Sequence, residues 1–195
     1  QRQMCIRDSV YVDNRKLFSH PEAWRDIVET MASRVEEYDL EFDIVAGVEA
    51  AGSMHAAALA YRLGLPAIMV RQKAKTYGNH SRIEGGDVKG MRVLLLEDHI
   101  STGLSCLDAI RALRGEGAQV TQVMSITNYA IPETQRLFKQ EGIDTYDVIA
   151  FEKVVRKAKE MGVIDDEHEK LVLEWLQTPW TWAAMHGVVA SAIEN

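Results

Sequence analysis

Val93-Leu94-Leu95-Leu96-Glu97-Asp98-His99-Ile100-Ser101-Thr102-Gly103-Leu104-Ser105 is the stretch that decides the fold of this chain. Four apolar residues run into two acids, a loop of hydroxyls and one glycine follows, and a helical pattern begins at Cys106. A continuous apolar run marks a strand buried on both faces. A Ser/Thr/Gly loop leading into a helix N-terminus offers backbone N–H groups and hydroxyls to a phosphate. Acids at the carboxyl end of such a strand stand where open α/β sheets bind ligands. The plainer reading is a strand, a loop and a helix cap. Against it, Ser101, Thr102 and Ser105 bring three hydroxyls into five positions, where a cap needs one. Glu97 and Asp98 are adjacent, so their side chains diverge unless the strand ends at Leu96, as the pattern suggests. Two carboxylates beside a phosphate cradle suit a sugar phosphate with free hydroxyls.

The rest of the chain bounds this reading. With 195 residues, one domain is expected, and 47% hydrophobic residues suffice for an ordinary core. No apolar run reaches the length of a membrane span. The net charge of −7 argues against a nucleic-acid surface. The two cysteines, Cys5 and Cys106, form neither a metal motif nor a disulfide framework, which suits a reducing cytoplasm. Residues 1–9, Gln1-Arg2-Gln3-Met4-Cys5-Ile6-Arg7-Asp8-Ser9, have no periodicity. They resemble the in-frame translation of a transposon sequencing adaptor, and the domain is expected to span 10–195.

Strands alternate with helices along the chain, the pattern of an α/β fold with a mostly parallel sheet flanked by helices. Ser19 is the expected N-cap of a helix running to Glu37, with Glu22 at the capping-box position and Pro21 in the first turn. Strands are expected at 43–48, 67–70, 92–96 and 119–127. Helices are expected at 54–63, ended by Gly64, at 106–114 and at 132–141, ended by Gly142. Residues 146–150 read as a strand or a helix start, and 151–161 and 167–176 as helices. Arg71 to Gly90 is polar and glycine-rich, too long for an ordinary connection, and reads as a flexible lid or a disordered segment.

Two further segments bear on chemistry. Glu49-Ala50-Ala51-Gly52 lies between a strand and a helix, and its small residues let the backbone approach a second anion. Alone it is a plain turn. The long loop carries Arg71, Lys73, Lys75 and Arg82 with Tyr77 and His80. Four cations on a mobile segment could close over a pyrophosphate and shield it from water, or simply form a solvated face. Two anion loops, a basic lid and an acid pair between them match phosphoribosyl pyrophosphate.

Leu96 to Gly103 resembles the signature of type I phosphoribosyltransferases. Asp13-Asn14-Arg15-Lys16, Gly47 to Gly52, Val70 to Gly78, Ile83-Glu84-Gly85, Glu174-Trp175-Leu176 and Pro179-Trp180 resemble the orotate phosphoribosyltransferase family. The resemblance covers roughly residues 10 to 187. It implies the type I fold and transfer of ribose 5-phosphate from phosphoribosyl pyrophosphate to orotate, giving orotidine 5′-monophosphate and pyrophosphate. It implies that Glu97 and Asp98 hold the ribose hydroxyls and stabilise positive charge as the C1–O bond breaks, with Lys75 on the closing lid as a third catalytic residue. It assigns His99, Ile100, Ser101, Thr102, Gly103, Leu104 and Ser105 to the 5′-phosphate, with Ser101 also near orotate. Glu49, Ala50, Ala51 and Gly52 would take the pyrophosphate. Arg71, Lys75 and Tyr77 would line the phosphoribosyl pyrophosphate. Mg²⁺ held mainly through substrate, with no direct protein ligand, and a homodimer with the lid reaching the neighbouring site are also implied.

Some positions depart from the family pattern. Gln72 replaces a usual lysine, Tyr77 a frequent histidine, and Leu104 a frequent glycine. The N-terminal hood helix and Ser-Gly-Lys-type segment that help build the orotate pocket are missing, so weak or no activity is expected from this sequence. A purine transferase of xanthine type and a non-enzymatic regulator of the same fold are the alternatives. Trp175, Trp180 and Trp182 read as packing, Asp165 to Glu169 as a solvated helix start, and His55 and His186 as structural.

Overall fold

A computed structural model describes residues 12–74, 81–179 and 181. One six-stranded sheet organises them, in the order β3-β2-β1-β4-β5-β6. The strands are β1 (Ile44–Val48), β2 (Ala67–Val70), β3 (Ile83–Glu84), β4 (Arg92–Ile100), β5 (Gln119–Asn128) and β6 (Asp144–Ala150). All neighbours run parallel except β3, which pairs antiparallel with β2 through Val70 and Ile83. The helices are α1 (Pro21–Glu37), α2 (Ala51–Leu63), α3 (Leu104–Gly115), α4 (Pro132–Gln140), α5 (Phe151–Glu160) and α6 (Asp166–Gln177). The mostly parallel α/β architecture expected from the alternation is the one present.

The apolar run of β4 is explained by its two covered faces. Val93 and Leu95 join Cys106, Leu107, Ile110 and Leu113 of α3 in one core. Leu94 and Leu96 join Met31 of α1 and Ala56, Leu59 and Ala60 of α2 in a second core. Successive side chains of a strand point to opposite faces, so a strand between two helical layers must be apolar at every position. A third cluster, made by Tyr129, Ile131, Phe151, Val155, Trp175 and Leu176, packs α5 and α6 beyond the end of β5. Trp175 is 2% exposed and meets the Tyr129 ring edge-on at 5.1 Å, the packing role expected of it.

Several element ends differ from the sequence expectation. β4 does not stop at Leu96. It continues through Glu97, Asp98 and His99 to Ile100, because β5 supplies partners as far as Thr127 and Asn128. Ser19 is not the cap of α1. A 3-10 helix over Asn14–Ser19 ends on it, and His20 takes the cap position without a side-chain hydrogen bond. α2 begins at Ala51 and α3 at Leu104, so the loops after β1 and β4 each run directly into a helical first turn. Residues 144–150 resolve as a strand. Asp165 caps α6 by accepting from the His168 N–H at 2.8 Å, the helix start expected there.

Candidate functional site

β4 carries the acid pair to the carboxyl edge of the sheet. Glu97 is 6% exposed. Its Oε2 accepts from the Ser105 hydroxyl at 3.4 Å, and its Oε1 from the Asp98 N–H at 3.1 Å. Glu97 therefore faces the first turn of α3 and the hydroxyl loop that precedes it. Burial, with the neighbouring Asp98 carboxylate adding to it, pushes the Glu97 carboxyl well above the usual carboxylate range. Asp98 is half-buried, and its field reaches His55 on the α2 side.

The loop between β4 and α3 turns on Gly103. Its φ of +72° lies in the left-handed region, and a Cβ there would meet Phe138 and Thr134 of α4 at 2.9 Å. Thr134 also donates its hydroxyl to the Ser101 carbonyl at 3.0 Å. The loop is thus seated on α4, with the N–H groups of the first turn of α3 behind it. Such a turn leaves backbone donors unpaired within the helix, and these are the groups an anion uses. Leu104 is half-exposed at the head of α3, Cys106 is buried, and Ile100 is 1% exposed within the core.

The second loop lies beside the first. Glu49 and Ala50 are joined by a cis peptide bond, and α2 starts at the next residue. The Glu49 carboxylate accepts from the Gln72 N–H at 3.0 Å, and its carbonyl from the Gln72 side-chain amide at 3.3 Å. Gly52 packs against β4 so closely that a Cβ would meet the Leu96 carbonyl oxygen at 2.6 Å and Glu97 Oε1 at 3.4 Å. The start of α2 therefore rests on the strand that carries the acid pair.

The basic segment is partly tied down. Arg71 pairs with Glu84 at 2.9 Å, and Arg82 pairs with Asp108 of α3 at 2.6 Å. Arg82 also donates from Nε to the Arg71 carbonyl at 2.8 Å. These ion pairs bind Arg71 within the β2–β3 ribbon and Arg82 to α3. Lys73 is exposed. Lys75, Tyr77 and His80 lie outside the described residues, as do Trp180, Trp182 and His186.

Residues 13–161 match the family described as phosphoribosyl transferase domain. The orotate phosphoribosyltransferase of Coxiella burnetii is 41% identical over 177 residues, which cover 91% of this chain and 85% of that protein. The chain belongs to the orotate phosphoribosyltransferase family. Among solved structures, Leishmania donovani UMP synthase superposes with a TM-score of 0.75 at 26% identity, covering 85% of this chain and 35% of that one. Mycobacterium tuberculosis H37Rv orotate phosphoribosyltransferase, in complex with 5-phospho-alpha-D-ribosyl 1-diphosphate, superposes with a TM-score of 0.61 at 28% identity, covering 72% and 80%.

Within this orotate phosphoribosyltransferase chain, two polar residues stand at the site that sequence reading left without a role. Asn14 is 6% exposed. Its Nδ2 donates to the Asp98 carbonyl and to Thr127 Oγ1, each at 2.7 Å. Thr127 also lies 2.7 Å from His99 Nδ1. His99 is directed at β5 and packs edge-on against Tyr129 at 4.1 Å, leaving its main chain nearest the hydroxyl loop. Burial lowers the His99 and His55 pKa values to about 4, so both rings are neutral at neutral pH. Nothing local in the sequence flags Thr127 or pairs it with Asn14, because 113 positions separate them. Among the described residues no three His, Cys, Asp or Glu side chains gather to hold a metal ion.

Proposed function

We propose that the chain transfers ribose 5-phosphate from phosphoribosyl pyrophosphate to orotate, forming orotidine 5′-monophosphate and pyrophosphate. The observation that carries the reading is the buried Glu97 carboxylate, bonded to Ser105 at the start of the helix that closes the hydroxyl loop. A pentose held by Glu97 and Asp98 would place its 5′-phosphate at residues 99–105 and its pyrophosphate at residues 49–52. Arg71, with Lys75 and Tyr77, would line the same substrate, and Ser101 would stand near orotate. Orotate N1 would form the C1–N bond, giving up its proton to solvent, as the C1–O bond breaks, and pyrophosphate would leave with that bond's electron pair.

Glu97 is costly to ionise in its ligand-free, buried state. Positive charge developing on the ribose would favour the anionic form, and the carboxylate would in turn stabilise that charge. This is transition-state stabilisation by a preorganised group. Mg²⁺ would be held mainly through substrate oxygens, with no direct protein ligand. Bound in that way, the ion would neutralise the leaving pyrophosphate.

The reading extends to a homodimer with the lid contributed to the neighbouring site. It is supported by α2, where Met54 (45% exposed) and Tyr61 (91% exposed) present apolar surface two turns apart beside the 49–52 loop. A cytoplasmic location is proposed from the cysteine usage, and no helix among the described residues is long and apolar enough to cross a membrane.

Loss of orotate absorbance in the presence of phosphoribosyl pyrophosphate and Mg²⁺ tests the reading. Turnover of xanthine in place of orotate would move the chain to the purine transferases, and tight substrate binding without turnover of any base would make it a regulator.

A further inference from the structure

We propose that Asn14 and Thr127 are the positioning residues of the acid pair, orienting the Asp98 peptide and the His99 ring where β4 leaves the sheet. The inference deepens the reading of Glu97 and Asp98 as the ribose-binding acids and rests on it.

β1 pairs with β4 only as far as Leu96, while pairing to β5 extends to Ile100. Asp98 therefore stands on the last stretch of β4, where β1 no longer pairs with it. Something else must hold the peptide on that side. Asn14 does this from a different part of the chain. It is buried in the 3-10 helix before α1, and one amide nitrogen donates both to the Asp98 carbonyl and to the Thr127 hydroxyl oxygen at 2.7 Å.

Thr127 then extends the network. Its oxygen accepts from Asn14 and shares a hydrogen bond of 2.7 Å with His99 Nδ1. The His99 ring is thus fixed between Thr127 and the Tyr129–Phe151 cluster. Asp98 is thereby held on both sides: through its own carbonyl by Asn14, and through the next residue by Thr127. Asn14 and Thr127 are 6% and 2% exposed, so the role is orientation rather than chemistry. These hydrogen bonds together fix one geometry, and losing one of them leaves a buried group unpaired.

The test uses the full chain with Asn14→Ala, Thr127→Val and Thr127→Ser. Thr127→Val has the shape of threonine without its hydroxyl, and Thr127→Ser keeps the hydroxyl. The first readout is the ¹⁵N shift of the His99 ring in the ligand-free protein. The expected result is the same tautomer distribution in the parent and in Thr127→Ser, and a changed one in Thr127→Val. An unchanged distribution in Thr127→Val overturns the part of Thr127 in holding the ring. The second readout is calorimetric affinity for phosphoribosyl pyrophosphate with Mg²⁺. Asn14→Ala and Thr127→Val should each weaken binding on the order of tenfold, with Thr127→Ser near the parent value. Parental affinity in Asn14→Ala and Thr127→Val, whatever their melting temperatures, overturns the positioning role. A parent that binds no phosphoribosyl pyrophosphate instead overturns the ribose-binding reading beneath it.

Discussion

The Ser105 hydroxyl donates to the Glu97 carboxylate across 3.4 Å, joining the first turn of α3 to the end of β4. This contact puts a buried acid at the mouth of an anion loop. Replacing Glu97 with glutamine keeps its shape and removes a charge that burial makes unfavourable. Glu97→Gln should therefore unfold at an equal or higher urea concentration at pH 7.5. It should also lower orotate turnover by about 100-fold or more, the scale seen when one preorganised electrostatic contact is lost. A variant that loses stability and activity together would show that Glu97 is a structural group.

Gly52 touches β4 at the root of the acid pair. A methyl group there would lie 2.6 Å from the Leu96 carbonyl oxygen, which is backbone and cannot swing aside. Gly52→Ala should cost about 1–3 kcal/mol in urea unfolding, as overpacked sites do. It should weaken phosphoribosyl pyrophosphate binding as well, because α2 and the 49–52 loop must shift to accommodate it. Parental stability would refute the close approach.

His55 makes stability depend on pH in a direction that can be worked out. The native ring, fully buried, has its pKa lowered from 6.5 to about 4 by burial. As pH falls below 6.5 the unfolded chain takes up a proton that the native state refuses until about 4. Stability attributable to this group is thus lost as pH falls through that window. His99 acts in the same sense, and the raised carboxyl of Glu97 in the opposite one. The difference between the parent and His55→Phe isolates the single group. Phenylalanine should remove about 1.4 kcal/mol per pH unit of slope across the window, read from urea midpoints. Parallel pH profiles would exclude a buried neutral His55.

Trp175 anchors the third cluster against Tyr129, whose ring in turn packs on His99. Trp175→Ala should destabilise the fold by about 3–5 kcal/mol, the usual range for a buried aromatic. Thermal unfolding checks this, and a change below 1 kcal/mol by the same scale would mean that α6 contributes little to the core.

The fold was legible where the signal is local. The apolar run at 93–96, Gly64 after α2, Pro132 at the head of α4 and Asp165 before α6 each act within a few residues of themselves, and each did in the structure what its chemistry required. The readings that failed depended on distant partners. Leu96 read as a strand end because two acids follow it, but β5 pairs with β4 for four residues more. Ser19 read as a cap because its spacing to Glu22 is right, but the 3-10 helix arriving from Asn14 already occupies it. Likewise, no local spacing reveals Glu84 and Asp108 as the partners of Arg71 and Arg82.

The sequence by itself determined the alternating α/β plan, the buried central strand and the grouping of two acids with a run of hydroxyls, since each is a matter of residue type and short spacing. Tertiary structure alone decided which way Glu97 faces, how closely Gly52 lies under it, and that Asn14 and Thr127 meet at the Asp98 peptide. Hydrogen bonds and van der Waals contacts act over a few ångströms of space, whereas Gly52 stands 45 positions from Glu97 and Asn14 stands 113 from Thr127 along the chain.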